Sequence, residues 1–323
     1  MTIVRFEGRE HPLAPGQTVL AALQSAGEGL DSSCLAGVCQ SCLVRAESGA
    51  IPKAAQAGLS PALVAGGYLL ACVCRPEEDL TLVRADAVRQ RVPVTVASLD
   101  RLSTSVVRLR LMPEAPFNYR AGQFLGLVTP GAAPRSYSIA SLPSRDPWLE
   151  LHIRLLPGGR VSGLVADSLR AGDRLEVVGP SGGCFYQGVD PDQPLVLAGT
   201  GTGLAPLWGI LQDAIANGHR GPIRLYHGAL DRAGLYLVDA LEALAAKHAN
   251  LTYTPCLRDS GGATGDLKEA VLAAGDARAQ AAYFLCGDAN LVNQLKRALF
   301  LSGARLDRLR SDPFLPTAAA KAA

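Results

Sequence analysis

Hydrophobic and polar positions change rhythm twice along this chain. In residues 1–86, Thr2–Phe6 alternates weakly, and Gly8 with Arg9 can turn the chain into a second short strand. Thr18–Ser25 places apolar residues at helical spacing behind a threonine suited to an N-cap, and Leu80–Val83 reads as a closing strand. Strands mixed with a helix predict a small α+β unit. Residues 84–90 are polar and predict a linker. Residues 91–187 carry six β-rich runs: Val92–Ala97, Val106–Leu111, Phe124–Val128, Ser136–Ile139, Leu149–Leu155 and Arg174–Val178. Glycine- and proline-containing turns separate them, which predicts a six-stranded antiparallel barrel. In residues 188–315 strands alternate with helices. The strands are Leu195–Ala198, Ile223–Tyr226, Leu251–Cys256, Tyr283–Cys286 and Arg305–Leu309; the helices are Leu204–Ala216, Leu235–His248, Asp266–Ala274 and Ala289–Leu301. That alternation predicts a doubly wound parallel sheet.

The length of 323 residues accommodates these three units as a multidomain α+β and α/β protein. A hydrophobic share of 48% with 19% charged residues is ordinary for a globular chain, and a net charge of +2 makes no case for nucleic acid or an anionic membrane. No apolar run approaches a membrane span, and Met1–Phe6 lacks a signal-peptide core. With eight cysteines, this predicts a reducing, cytoplasmic setting in which cysteines serve metal or redox chemistry. A monomer is expected. The alanine-rich end, residues 316–323, reads as a frayed tail.

The cysteines change the picture most. Cys34, Cys39 and Cys42 are spaced C-x4-C-x2-C, and Cys72 follows after 29 residues. This is the plant-type spacing for a 2Fe–2S cluster, which takes two thiolates on each iron. Small residues around the first three ligands let the backbone wrap the cluster and aim amides at its sulfurs. A zinc site is the competing reading, but Cys72-x-Cys74 is tighter than the usual zinc pair. Cys74 competes with Cys72 as fourth ligand.

Three further motifs suit nucleotide cofactors. Gly199-Thr200-Gly201-Thr202-Gly203-Leu204-Ala205-Pro206 lies between a strand and a helix, where glycines admit a diphosphate and the helix start supplies amides; a plain tight turn is the alternative. Cys286-Gly287 ends a strand of the same sheet, so both lie where such sheets bind ligands; a buried structural cysteine is the alternative. Arg135-Ser136-Tyr137-Ser138 combines a phosphate-binding cation, an aromatic face and hydroxyls. His152-Ile153-Arg154, followed by Gly159-Arg160-Val161-Ser162, offers a second phosphate site, with Ser162 as the expected cap of a helix over Gly163–Arg170.

Taken together, residues 91–315 resemble the ferredoxin–NADP reductase superfamily, through Arg135-x-Tyr137-Ser138, Gly159-x-x-Ser162, the Gly199–Pro206 turn and Cys286-Gly287. Residues 1–86 resemble plant-type ferredoxin, a β-grasp fold. The fused order is similar to that of the single-chain reductases of bacterial aromatic-ring and related oxygenases. The resemblance selects Cys72 over Cys74 and implies that Arg135 binds flavin phosphate, Tyr137 stacks on the isoalloxazine, and Ser138 lies near its N5. It implies that Arg160, Val161 and Ser162 hold the diphosphate, and that Phe314 covers the other flavin face. Ser138, Cys286 and Phe314 are thus the expected catalytic residues. Three positions depart from the family: Leu35 and Leu230 stand where arginines are common, and Asp288-Ala289 replaces a proline-rich pair.

The resemblance implies an NAD(P)H-dependent flavin and iron–sulfur reductase, carrying electrons from NADH through FAD to the cluster and then to a partner protein. The N-terminal ferredoxin goes with FAD rather than FMN. Asp231 favours NADH, whereas Arg232 could pair with the extra phosphate of NADPH. The partner expected is an oxygenase component. A deoxysugar dehydrase, or a role as a non-enzymatic redox sensor, is the alternative.

Overall fold

The computed structural model describes residues 2–30, 32, 34–85, 90–258, 266–274 and 278–315. Its elements form three sheets. The first contains β1 (Thr2–Phe6), β2 (Arg9–Leu13), β3 (Leu43–Ser48), β4 (Tyr68–Leu70) and β5 (Leu80–Arg84), with helices α1 (Val19–Ser25) and α2 (Pro61–Ala65). The order is β2-β1-β5-β3-β4, with β1 and β5 parallel and the other pairs antiparallel. Thr18 caps α1, its Oγ1 accepting from the Ala21 amide at 3.2 Å. Val19, Leu20 and Leu23 of α1 join Val4, Phe6, Leu80 and Leu82 in one core. Arg84 ends β5 and Gln90 opens the next strand; the rest of the expected linker, from 86 to 89, lies outside the described residues.

The second sheet is all antiparallel: β6 (Gln90–Arg101), β7 (Val106–Pro113), β8 (Phe124–Thr129), β9 (Ala132–Ser138), β10 (Leu149–Arg154) and β11 (Arg174–Ser181), ordered β10-β7-β6-β11-β8-β9. A bridge between Ile139 and Leu151 brings its two edges together and nearly closes a barrel. Helix α3 (Arg160–Asp167) lies between β10 and β11.

The third sheet is all parallel, ordered β14-β13-β12-β15-β16. Its strands are β12 (Leu195–Thr200), β13 (Ile223–Ala229), β14 (Leu251–Leu257), β15 (Ala282–Asp288) and β16 (Leu309–Phe314). Helices α4 (Leu204–Ala216), α5 (Val238–Lys247), α6 (Leu267–Ala273) and α7 (Ala289–Leu301) connect them. The chain runs outward from β12 on one side and from β15 on the other, so the crevice of this sheet opens between these two strands. One detail corrects the sequence reading. The last strand begins where the expected one ended, because Leu306–Arg308 form a 3-10 turn. Asp288, which departs from the family pattern, caps α7 by accepting from the Leu291 amide at 3.0 Å.

A buried polar chain pins the barrel to the parallel sheet. Arg110 Nε donates to Glu150 Oε2 at 2.8 Å, Glu150 Oε1 lies 3.1 Å from His152 Nε2, and His152 Nδ1 lies 3.1 Å from the Tyr236 hydroxyl. Burial works to raise the Glu150 pKa, but His152 and Arg110 outweigh it and hold the group down to about 2. Burial lowers the His152 pKa, so its ring is neutral. An ionised Glu150 only accepts, so Nε2 carries the proton and Nδ1 accepts from Tyr236. The Tyr236 ring stands edge-on to His152 and to His227, at 5.3 and 5.5 Å between centroids. Tyr236→Phe keeps the ring packing but strands His152 Nδ1. It is expected to cost about 1–3 kcal/mol, read as a lower thermal midpoint; an unchanged midpoint would show that this bond adds nothing to the junction.

Candidate redox centres

The cysteine loop is built as a cradle for sulfur. The amides of Ala36, Val38 and Cys39 point at Cys34 Sγ at 3.3–3.4 Å, the Cys34 amide points at Cys39 Sγ at 3.4 Å, and the Cys72 amide points at Cys42 Sγ at 3.4 Å. Leu35 makes this geometry possible by adopting φ 53, a conformation that L-residues rarely take, in a loop where it is half exposed. The amides of Cys34 and Cys39 reach each other's sulfur and the Cys72 amide reaches that of Cys42, which ties the four cysteines into two pairs. The bond from Cys39, chiefly, lowers the Cys34 thiol to about 5, helped by the three amides and opposed by burial. Cys72 is likewise lowered, first by its bond to Cys42. Among the described residues no three His, Cys, Asp or Glu side chains gather around one point as for a single metal ion. Two pairs of sulfurs inside a shell of amides suit a group with two irons. Cys74 stands apart: it is fully buried in the apolar core, and burial alone raises its pKa to about 12.

The carboxyl edge of the parallel sheet is equally local. Strand register sets Gly199 beside Cys286 and Cys286 beside Asp312, so the carboxyl ends of β12, β15 and β16 lie in one row with Phe314 at the tip of β16. The Gly-rich turn shows two different uses of glycine. A Cβ on Gly203 would stand 2.4 Å from the Cys286 carbonyl oxygen, so Gly203 exists for strand-to-turn packing. Gly201 has φ +53 and nothing within 4 Å of a built Cβ, leaving open space for a ligand backbone. Thr202 is half-buried, whereas Ala205 and Pro206 are buried in the base of α4 and can serve a ligand only through the helix start. No side chain caps α4, but its Leu204 amide already donates to the Gly201 and Thr202 carbonyls and Pro206 has no N–H, so a diphosphate here would rest chiefly on the Gly-rich turn that leads into the helix.

Ser138 and Asp312 join the barrel to this edge. Ser138 Oγ donates to Asp312 Oδ2 at 3.0 Å across 174 residues of sequence, and both groups are buried. Burial pushes the Asp312 carboxyl up to about 6, against the opposing bond from Ser138. Sequence reasoning passed over Asp312; the only signal was its place two residues before Phe314. Arg135 and Tyr137 alternate with Ser136 and Ser138 along β9 and are half-buried. Burial raises Tyr137 to about 12, with the nearby Arg135 opposing.

Three sequence expectations change in detail. Helix α3 starts at Arg160 with Gly159 as its cap, and Ser162 sits inside the first turn, its Oγ accepting from the Leu156 amide at 3.2 Å. The paired Gly158-Gly159 lets the chain enter the helix earlier than a serine cap would, and the amides of Arg160, Val161 and Ser162 are left for an acceptor. The Arg160 side chain donates to the Gly131 carbonyl. His152 and Ile153 point into packed interior, His152 toward Tyr236 and Ile153 into the barrel core, while Arg154 is exposed. Asp231 Oδ1 accepts from the Gly234 amide at 3.0 Å and so caps a short turn, and Arg232 is exposed.

Family profiles match the three units in order. The 2Fe-2S iron-sulfur cluster binding domain covers residues 4–77, the oxidoreductase FAD-binding domain 93–186 and the oxidoreductase NAD-binding domain 197–297. The reductase subunit of an aromatic O-demethylase from Amycolatopsis is 38% identical over 79% of this chain and 80% of its own. The chain belongs to the single-chain flavin and iron–sulfur reductases. The reductase component of a Pseudomonas phenol 2-monooxygenase is 32% identical over 86% of this chain and 84% of its own. The crystal structure of an Amycolatopsis cytochrome P450 reductase superposes with TM-score 0.71 at 31% identity, covering 98% and 99% of the two chains. This reductase therefore uses a 2Fe–2S cluster, FAD and NAD(P)H, which supply hydride acceptance and single-electron release. No helix among its described residues is long and apolar enough to cross a membrane.

Two outcomes follow from this geometry. Cys72→Ser is expected to abolish or distort the rhombic electron spin resonance signal of the reduced cluster, while Cys74→Ser spares it; the reverse result assigns the fourth ligand to Cys74. Asp312 titrates near pH 6 in the folded protein, above its ordinary value. Its contribution to stability is fully present below that ordinary value and is lost as the pH rises through about 6. The stopped-flow rate of flavin reduction by NADH is expected to inflect near pH 6 and to lose that inflection in Asp312→Asn. The same inflection in the variant would assign it to another group.

Proposed function

We propose that this reductase takes electrons from NADH and delivers them to the terminal component of an oxygenase. The bond between Ser138 and Asp312 beside Cys286 carries the reading, because it sets the barrel's flavin-type strand against the carboxyl edge of the nucleotide sheet. In this reading Arg135, with the free amides at Arg160–Ser162, holds the flavin phosphates, and Ser136 and Tyr137 line the ring. Phe314 covers the opposite ring face. Ser138 and Cys286 flank the site of hydride transfer, with Asp312 orienting Ser138. Gly201, Thr202 and the start of α4 take the nicotinamide diphosphate beside Gly287. Cys34, Cys39, Cys42 and Cys72 ligate the cluster.

The oxygenase acceptor is supported by the names of the relatives, which serve an O-demethylase and a phenol monooxygenase. All eight cysteines are free, in keeping with a reducing cytoplasm. The three redox units in one chain suit a monomer, which gel filtration checks. NADH is favoured because Leu230 sets no cation at the ribose side and Asp231 retains a second carboxylate oxygen for the ribose hydroxyls. The expected kcat/KM is at least about tenfold higher for NADH than NADPH, since one lost charged contact is worth about 1.5–3 kcal/mol. A ratio favouring NADPH overturns the NADH assignment. Reconstitution with the oxygenase component encoded nearby tests the acceptor: sustained NADH-driven product formation supports it. Undiminished cytochrome c reduction with no transfer to that component overturns the acceptor and leaves the reductase intact.

A further inference from the structure

Two sulfurs lie side by side at the junction of barrel and parallel sheet. Cys184 follows β11, in the segment that leads from the barrel into β12, and Cys286 lies near the end of β15. Their Sγ atoms are 3.7 Å apart across 102 residues of sequence. Both side chains are buried and belong to one apolar cluster. Cys34, Cys39, Cys42 and Cys72 are committed to the cluster cradle. Cys74 is enclosed in the ferredoxin core, and the Cys256 thiol points to the Thr254 carbonyl at 3.7 Å.

Burial, then the Cys184 thiol and Asp312, push the Cys286 thiol well above its ordinary range, so Cys184 is the sulfur placed to react first. The Arg310 guanidinium donates to the carbonyls of Phe185 and Gln187, at 3.2 and 2.8 Å, and so carries its positive charge to the backbone just after Cys184. The two thiols are already close to van der Waals contact, and a disulfide needs about 2.05 Å. Side-chain rotation or a small shift of the barrel against the sheet closes the difference.

We propose that Cys184 and Cys286 are a redox-sensitive pair that a peroxide converts to a disulfide, stapling the barrel to the nicotinamide sheet. The Cys184 thiolate attacks a peroxide oxygen; the O–O bond breaks, a sulfenic acid forms, and the departing oxygen takes a proton to leave as water. The second thiol attacks the sulfenic sulfur, the S–S bond forms, and a second water leaves. Two thiols lose two electrons and two protons, and one hydrogen peroxide becomes two waters. The staple removes the Cys286 sulfur from the edge shared with Gly199 and Asp312. Its effect on turnover rests on the proposed role of Cys286 at the nicotinamide; formation of the bond does not.

The experiment treats the FAD- and cluster-loaded reductase with hydrogen peroxide, alkylates the remaining thiols and maps peptides without reduction. A peptide pair joined through Cys184 and Cys286, and separated by dithiothreitol, is expected. NADH–ferricyanide turnover, which can draw electrons from the flavin even when the cluster is damaged, is expected to fall at least about tenfold and to return with dithiothreitol. Cys184→Ala is expected to give neither the joined peptides nor the reversible loss. Wild-type protein that yields no joined pair under these conditions overturns the proposal, as does an equal reversible loss in Cys184→Ala. Joined peptides with full turnover uphold the staple and overturn the assignment of Cys286 to the nicotinamide.

Discussion

The bond from Ser138 to Asp312 is the contact on which the reductase half of this molecule turns. It joins the last residue of β9 to the edge strand β16, and both groups are buried where the strand ends line up. A buried aspartate without a partner would carry a heavy desolvation cost. With Ser138 as donor it persists, and burial holds it close to neutral solution in its titration. The barrel therefore cannot slide along the parallel sheet without exposing or stranding this pair. A hydride moves only when donor and acceptor are held within contact distance, so a fixed relation between the two units is what the chemistry requires.

The polar chain from Arg110 to Tyr236 reinforces that relation from another side. Each of its members spends its hydrogen bonds on the next, and the neutral, buried His152 makes the chain directional: Tyr236 donates to His152, and His152 donates to Glu150. Networks of this kind are costly when half satisfied and rigid when complete. The same junction holds the Cys184–Cys286 sulfurs in contact. The junction between barrel and parallel sheet thus also contains the cysteine pair proposed to record oxidation.

The ferredoxin part solves a different problem. Its cluster must be bound by thiolates, and the structure offers their sulfurs backbone amides. Leu35 in a left-handed conformation turns successive N–H groups toward Cys34, placing backbone donors where a ligated sulfur would carry negative charge.

Much of this was written locally. The cysteine spacing pointed to the 2Fe–2S cluster, and alternation or helical spacing determined all six barrel strands and the bounds of α4 and α7. Strands β3 and β4 escaped because β4 has only three residues and β3 does not alternate, so neither carries a period. Strand β16 escaped because Asp312 and Pro313 disfavour a strand in isolation, although a sheet edge tolerates them. Ser162 was mistaken for a cap because Gly158-Gly159 starts the helix sooner than its own side chain would. What no local pattern could contain was the meeting of Ser138 with Asp312, His152 with Tyr236, and Cys184 with Cys286. Periodicity reports which face of an element is buried, but partners 84 to 174 residues apart are chosen by sheet order and register, which exist only once the chain has closed its barrel and stacked it on the parallel sheet.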